Sequence, residues 1–256
     1  MRRSMPIAKL IALPLLAVTV MAMGGCSRSN QRAASASAAP AQAATTAGHL
    51  KGHRVVVYVI DATGSYNFVG QALSKAATEV ERNAQPGDVW FFRWITNASY
   101  SDSTAVFALR CPDLPEAPTN PFDSNARRRW QTQQASLTGL KRKAATMLRS
   151  QRPRPVRGTD IYGAFAKASD IFETTVTQGE KVVVIATDLG DTENRKVPFS
   201  LSGARVIICL YQGGRNVQEA RARRDYWVGL IRRAGAEQIR VLDPAQSSVE
   251  DLLGER

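Results

Sequence analysis

Residues 54–65 read RVVVYVIDATGS. Arg54 to Ile60 is a short β-branched run with no alternation of polar and apolar residues, as expected of a strand buried on both faces. It runs straight into the oxygen-bearing turn Asp61-Ala62-Thr63-Gly64-Ser65. Val69, Ala72, Leu73, Ala76 and Val80 then recur at helical spacing, and Pro86-Gly87 stops that helix. A second strand follows at Val89 to Ile95 (VWFFRWI), a turn at Asn97 to Asp102, and a third strand at Ala105 to Arg110. That turn is too short for a helical crossover, so strands two and three should be antiparallel.

Beyond the proline-rich loop Pro112 to Pro121, the alternation continues. Trp130, Leu137, Leu140, Ala144 and Leu148 mark one face of a long helix ending before Pro153. Ile161, Phe165, Ala168 and Phe172 mark another. Lys181 to Thr187 (KVVVIAT) is a fourth strand and Arg205 to Leu210 (RVIICL) a fifth. Val217, Ala220, Trp227, Ile231 and Ala234 give a last helix, then Ile239 to Leu242 a sixth strand. Strands alternating with helices predict one α/β domain over about residues 53–256, with a mostly parallel sheet and helices on both faces. No internal repeat is visible.

Composition agrees. The chain has 256 residues, 44% hydrophobic and 22% charged, enough to bury a full core, which excludes wholesale disorder. Three cysteines cannot build a disulfide scaffold. Lys and Arg outnumber Asp and Glu by 34 to 22, a net charge of +12, which favours anionic partners without bearing on the fold.

The amino terminus reads as an address. Arg2, Arg3 and Lys9 precede an apolar run, Leu10 to Met23, interrupted by Pro14. A membrane-spanning helix needs roughly 20 apolar residues, so this run has the length of a signal-peptide core. It ends in Met23-Gly24-Gly25-Cys26 and there resembles a bacterial lipoprotein signal. The resemblance implies a signal peptide over residues 1–25, cleavage before Cys26 and lipid attached to it. Ser27, where Asp would favour the inner membrane, implies an outer-membrane anchor facing the periplasm. An ordinary secretory signal is the alternative. Residues 26–52, rich in Ala, Ser, Gln and Thr, read as a flexible tether, with His49 solvated in it and His53 beside it.

Ligands of parallel sheets sit outside the carboxyl ends of the strands. Strand one ends in Asp61, Thr63 and Ser65. Strand four ends in Thr187-Asp188-Leu189-Gly190-Asp191, and Gly158-Thr159-Asp160 opens the helix between them. Together these segments resemble the von Willebrand factor A domain with its metal-ion-dependent adhesion site. Asp61, Thr63 and Ser65 match its Asp-x-Ser-x-Ser motif, with Thr in place of the first Ser; Thr159 matches its middle-loop Thr, and Asp188 its last Asp. The resemblance implies a doubly wound, Rossmann-like, six-stranded sheet of order three-two-one-four-five-six, with strand three as the antiparallel edge. It also implies a metal held by Asp61, Thr63, Ser65, Thr159 and Asp188. The chain departs from the pattern at Leu189, where Gly is common, and shows no clear helix from there to Ala204.

A hard cation suits such a donor set, so Mg²⁺, or Mn²⁺ or Ca²⁺, is the expected cofactor. The family fills an open coordination position with an acidic residue of a protein partner. Without a cation the two carboxylates repel. The bland alternative makes Asp61, Thr63 and Ser65 caps of the first helix, which leaves Asp188 without a reason. Asp160 is expected to cap its helix and Asp191 to be solvated. The implied sheet order sets strands three and five four spacings apart, roughly 19 Å at ~4.8 Å each. A disulfide needs Cα atoms within about 7 Å, so Cys111 and Cys209 are expected to be free thiols.

A rival enzyme reading starts from the same turn. Asp61-Ala62-Thr63-Gly64-Ser65 also resembles the phosphorylated Asp-Lys-Thr-Gly-Thr of haloacid dehalogenase-like phosphotransferases, with Asp61 as nucleophile and Gly190-Asp191 as the acidic motif. Thr63 stands where the hydrolases of that family place a general acid, and Arg195 where the second acid would stand. No Gly-x-Ser-x-Gly, P-loop or His-rich zinc motif occurs.

One charge pattern remains. Between Ser124 and Thr159 there is no Asp or Glu, but there are Arg127, Arg128, Arg129, Lys141, Arg142, Lys143, Arg149, Arg152, Arg154 and Arg157. At about 100° per residue, Arg128, Arg142, Lys143 and Arg149 turn away from the apolar face. The pattern fits a solvated face, or a metal-free surface for an anionic partner such as lipid headgroups or an acidic protein. Nucleic acid is least supported, because Trp130 is the one interleaved aromatic.

Overall fold

A computed structural model describes residues 54–120, 122–175 and 179–254. Cys26, His49, His53, the leader and the tether lie outside the described residues. The elements are β1 (Val55–Asp61), α1 (Val69–Asn83), β2 (Val89–Ile95), β3 (Ala105–Arg110), α2 (Ser124–Ser150) and α3 (Ile161–Thr175). They continue with β4 (Lys181–Ala186), β5 (Ala204–Cys209), α4 (Val217–Arg233), β6 (Gln238–Val241) and α5 (Pro244–Val249).

The sheet has the order β3-β2-β1-β4-β5-β6. β1 is central and pairs in parallel with β2 and β4, while β3 pairs antiparallel with β2 at one edge. The expected six-stranded, doubly wound α/β sheet is therefore present. β1 explains it most directly. Val56, Tyr58 and Ile60 enter one core with residues of α1 and α2. Val55, Val57 and Val59 enter the other with residues of α3 and α4. Alternate residues of one strand thus anchor both helical layers, each large apolar side chain contributing about 1.5–3 kcal/mol on burial. Among the described residues both cores run from Val55 to Leu253, so this segment carries a hydrophobic centre of its own.

Three elements differ from the reading of the sequence. α2 begins at Ser124, two turns before Trp130, because Asp123 caps it by accepting from Ala126 N at 2.8 Å. α5 was not expected. It is six residues long and too short to show a stripe, but Asp243, Pro244 and Gln246 form a capping box with Pro in the first turn. The turn before β3 closes with a short 3-10 turn at Asp102–Thr104. Between β4 and β5 there is no helix, as the sequence suggested.

Parallel strands give the sheet two poles. At the amino pole, Arg54 is buried and ion-paired with Asp88 at 2.7 Å. Cys111, just past β3, donates its backbone N–H to Asp88 O at 2.8 Å, so it also lies at this pole. Cys209 ends β5, four strands away, and both thiols are free and buried. Burial pushes the Cys111 thiol up to about 11 and that of Cys209 to about 12. We predict that a fragment spanning residues 46–256 shows no thiol reactive with a disulfide reagent at pH 8 while folded, and reacts at both Cys111 and Cys209 in denaturant without reductant. Finding neither thiol in the denatured monomer would contradict the sheet order.

Candidate metal centre at the carboxyl pole

Asp61 is the last residue of β1 and is wholly buried. Its Oδ1 accepts from Thr63 N at 2.9 Å and Thr63 Oγ1 at 2.6 Å. Its Oδ2 accepts from Thr187 Oγ1 at 2.8 Å. Thr63 Oγ1 lies 3.2 Å from Ser65 Oγ. The residue preceding α1 is Phe68, and no side chain caps that helix, so the helix-cap reading of Asp61, Thr63 and Ser65 is corrected. Asp61 instead ties the β1 turn to the end of β4. Burial raises its pKa, and the charge of Asp188 adds to the rise, while the hydrogen bonds from Thr63 and Thr187 oppose it.

Asp188 comes from the loop after β4. Its Oδ1 accepts from Gly190 N at 2.8 Å. Its Oδ2 lies 3.9 Å from Arg223 Nη1, and the same nitrogen donates to Asp188 O at 3.2 Å. Arg223, on α4, also bonds Glu219 Oε1 at 3.1 Å. Thr159 is buried and joined to the same loop through its backbone: its N–H donates to Thr192 Oγ1 at 2.8 Å and its carbonyl accepts from Thr192 N at 2.9 Å. The loop before it docks on the β1 turn, with Gly64 N donating to Val156 O. All five residues expected as ligands therefore reach the carboxyl pole. Direct links are seen within Asp61, Thr63 and Ser65, an electrostatic one joins Asp61 to Asp188, and Thr159 is joined through the loop backbone.

Neighbouring residues hold this arrangement. Asp160 caps α3, accepting from Gly163 N at 2.7 Å, and its other oxygen accepts from Ser99 N at 3.1 Å. Asp191 was expected to be solvated. It is half-buried and accepts from Ile161 N at 2.8 Å and Asn194 N at 3.0 Å, fastening the β4 loop to the start of α3. Thr187, which carries no motif signal of its own, is the second residue that donates to Asp61. Tyr66 is buried beneath the rim, its hydroxyl without a hydrogen-bond partner among the described residues, and burial, then Cys209, Asp61 and Asp188, raise its pKa. Arg223 left no local signal, because it reaches Asp188 from 35 residues away.

Leu189 supplies what the departure from Gly concealed. It sits at φ 57, in the left-handed region, and is buried in the α3–α4 core. Its N–H donates to Thr187 Oγ1 at 3.1 Å and its carbonyl accepts from Trp227 Nε1 at 3.1 Å. Core burial offsets a backbone cost of about 1 kcal/mol. Replacing a buried Leu by Ala costs about 2–5 kcal/mol. We expect Leu189→Gly to be about 1 kcal/mol less destabilising than Leu189→Ala, because only Gly relieves the backbone. Urea denaturation checks the order. The usual order, with Gly worse than Ala, would contradict the left-handed conformation.

The rim opens into a cleft of about 430 Å³ lined by residues including Ser65, Tyr66, Asp188, Arg215 and Arg223. A larger cleft, about 960 Å³, lies at the opposite pole beside Arg54, Lys181 and Arg205, and none of the expected site residues lines it. Among the described residues no three His, Cys, Asp or Glu side chains converge on one point. The rim offers two carboxylates and several hydroxyls, including the unpartnered Tyr66 hydroxyl. That oxygen-only set is chemically suited to a hard divalent cation.

The basic stretch is partly compensated from other elements. Arg149 forms a two-pronged pair with Glu81 of α1, at 3.0 and 2.8 Å, so an acid from outside the stretch answers it and it is not free for an anionic partner as the sequence pattern suggested. Lys141 is half-buried, and burial lowers its pKa against Cys111 and Asp88, so it is not on the outer face. Arg127, Arg128, Arg129, Arg142 and Lys143 are exposed.

No protein-family profile matches this chain, and no curated protein does. Among solved structures, it is similar to a von Willebrand factor type A protein from Catenulispora acidiphila at 18% identity and a TM-score of 0.44, over 77% of this chain and 40% of that one. It is also similar to the pilus adhesin SpaC from Lactobacillus rhamnosus GG, in an open conformation, at 10% identity and a TM-score of 0.43, over 77% of this chain and 28% of that one. The matched regions span less than half of either protein. These likenesses concern the fold, which the strand order and register define independently.

Proposed function

We propose that the domain is a metal-dependent protein-binding module. Asp61, Thr63, Ser65, Thr159 and Asp188 would hold one Mg²⁺, with Mn²⁺ or Ca²⁺ as substitutes, directly or through water. The observation that carries this reading is the buried Asp61 carboxylate placed within electrostatic reach of Asp188, beside paired hydroxyls. When bound, the cation would offset the repulsion of the two carboxylates and offer a coordination position to a carboxylate of a protein partner. The chain's own residues prepare this rim: Thr63 and Thr187 hold Asp61 in place, Asp191 and Thr192 fix the loop that carries Asp188, and Arg215 and Arg223 in the cleft favour an acidic approach.

Binding is a better account than phosphoryl transfer. The enzyme reading also needs a general acid and a second acidic residue, and Thr63 and Arg195 stand in those positions. In keeping with the lipoprotein-like leader, we place the protein in the bacterial envelope, anchored through lipid on Cys26 in the outer membrane and facing the periplasm. A second reading rests on Arg223. Its guanidinium already lies 3.9 Å from Asp188 Oδ2, so it could serve as the fixed cation of a metal-free binding surface.

Calorimetry of residues 46–256 separates the two. The metal reading expects Mg²⁺ binding that weakens at least about tenfold in Asp188→Ala, since a charged ligand is lost. Equal affinity in both proteins rejects the ligand assignment. Loss of partner capture in Arg223→Ala, with no effect of chelator, supports the metal-free surface.

A further inference from the structure

The proposed function leaves the amino half of α2 unused. Its position follows from the sheet. β3 is antiparallel to β2, so its last residue, Arg110, pairs with Val89, and the chain leaves the sheet at the amino pole. Lys141 lies beside Cys111 and Asp88 at that pole. From there α2 runs along α1 to the carboxyl pole, where Val156 meets the β1 turn. The helix before Lys141 therefore extends on the amino side. From Ser124 to Ser136 no described side chain is buried, and Ala126, Trp130 and Gln134, spaced along one face, are only partly covered, so this part reaches past the two cores with its other faces open. At 1.5 Å per residue it is an arm of roughly 20 Å.

The arm has a distinct chemistry. Arg128 and Arg129 are exposed and have no ion pair among the described residues. Trp130 is half-exposed, and Phe122, just before the helix, is 91% exposed. Asp123, the nearby acid, is engaged as the cap of α2. Guanidinium groups pair with phosphate, and aromatic rings are stable at a headgroup boundary. The arm also lies at the pole where the chain enters β1 at Arg54, opposite the rim of Asp61 and Asp188.

We propose that this arm docks on an anionic phospholipid surface through Arg128 and Arg129, with Phe122, exposed just before its first turn, seated at the headgroup level. Docking there leaves the carboxyl-pole rim pointing away from the lipid and free for a partner. A DNA duplex or a polyglutamate chain would satisfy the charges but give the exposed Phe122 ring no apolar phase. The proposal does not depend on the metal reading, because the two poles share no residue.

The test is co-sedimentation of residues 46–256 with vesicles of equal parts phosphatidylcholine and phosphatidylglycerol at low salt. The fragment has neither Cys26 nor the apolar leader, so neither can anchor it. Binding should fall with salt, be weak on pure phosphatidylcholine, and drop at least about tenfold in Arg128→Glu/Arg129→Glu. Phe122→Ser should weaken it with the salt dependence retained. Asp188→Ala should leave it unchanged, and circular dichroism should show all variants folded, since the altered arm side chains are exposed. Parent-like binding by the double variant, no binding by the parent, or equal binding to pure phosphatidylcholine would overturn the proposal. So would tighter binding to duplex DNA or polyglutamate than to the vesicles, lost in the same double variant.

Discussion

A carboxylate buried at the carboxyl end of the central strand is the constraint around which the rest is arranged. Asp61 is withdrawn from water, and a buried carboxylate is costly unless its oxygens are answered by donors. Thr63 answers from the turn that follows, which bends the chain away from the sheet. Thr187 answers from the end of β4, which holds the neighbouring strand in register with β1. The same Thr187 hydroxyl accepts from Leu189 N, at the start of a left-handed turn that places Asp188 at the rim and buries Leu189 against α4. Asp191 and Thr192 then clasp the start of α3 and Thr159. One buried charge thus organises three loops. The residual repulsion between Asp61 and Asp188 is the reason to expect a cation there.

The parallel sheet also sorts functions by pole. The oxygen donors gather where the strands end. The chain enters β1 where the strands begin, beside the buried Arg54–Asp88 pair, and the basic arm of α2 leaves the body on that side. A protein held at its amino pole would present its rim outward. The sheet is seven residues deep along β1, about 23 Å, which separates the two chemistries by more than a Debye length at ordinary ionic strength.

The fold was legible because both faces of β1 are apolar. Val55 to Ile60 could only be a central strand, and the helical stripes of α1, α3 and α4 had to cover it. Asp61, Thr63, Ser65 and Asp188 were legible as strand ends. What escaped the sequence depended on distance or on the lack of a stripe. The first turns of α2 touch no core, so no periodicity marked them, although Asp123 held the cap signal. α5 was too short for a pattern. Arg149 looked unanswered until α1 brought Glu81 alongside, 68 residues away. Asp191 looked solvated because its acceptors serve backbone N–H groups of a turn and of another element. Leu189 marked a departure from a sequence pattern, and the structure shows the pattern's backbone shape kept by burial in place of glycine.

The central claim is that the buried Asp61 and its neighbours form a seat for a divalent cation. Crystals of residues 46–256 grown with Mn²⁺ and measured at the manganese absorption edge test it directly. The account predicts one anomalous peak at the carboxyl pole, within direct or water-bridged reach of Asp61, Ser65 and Asp188, with Arg223 turned from Asp188 toward Glu219. A well-ordered rim with no peak there, and with the Arg223 guanidinium still against Asp188, would contradict it.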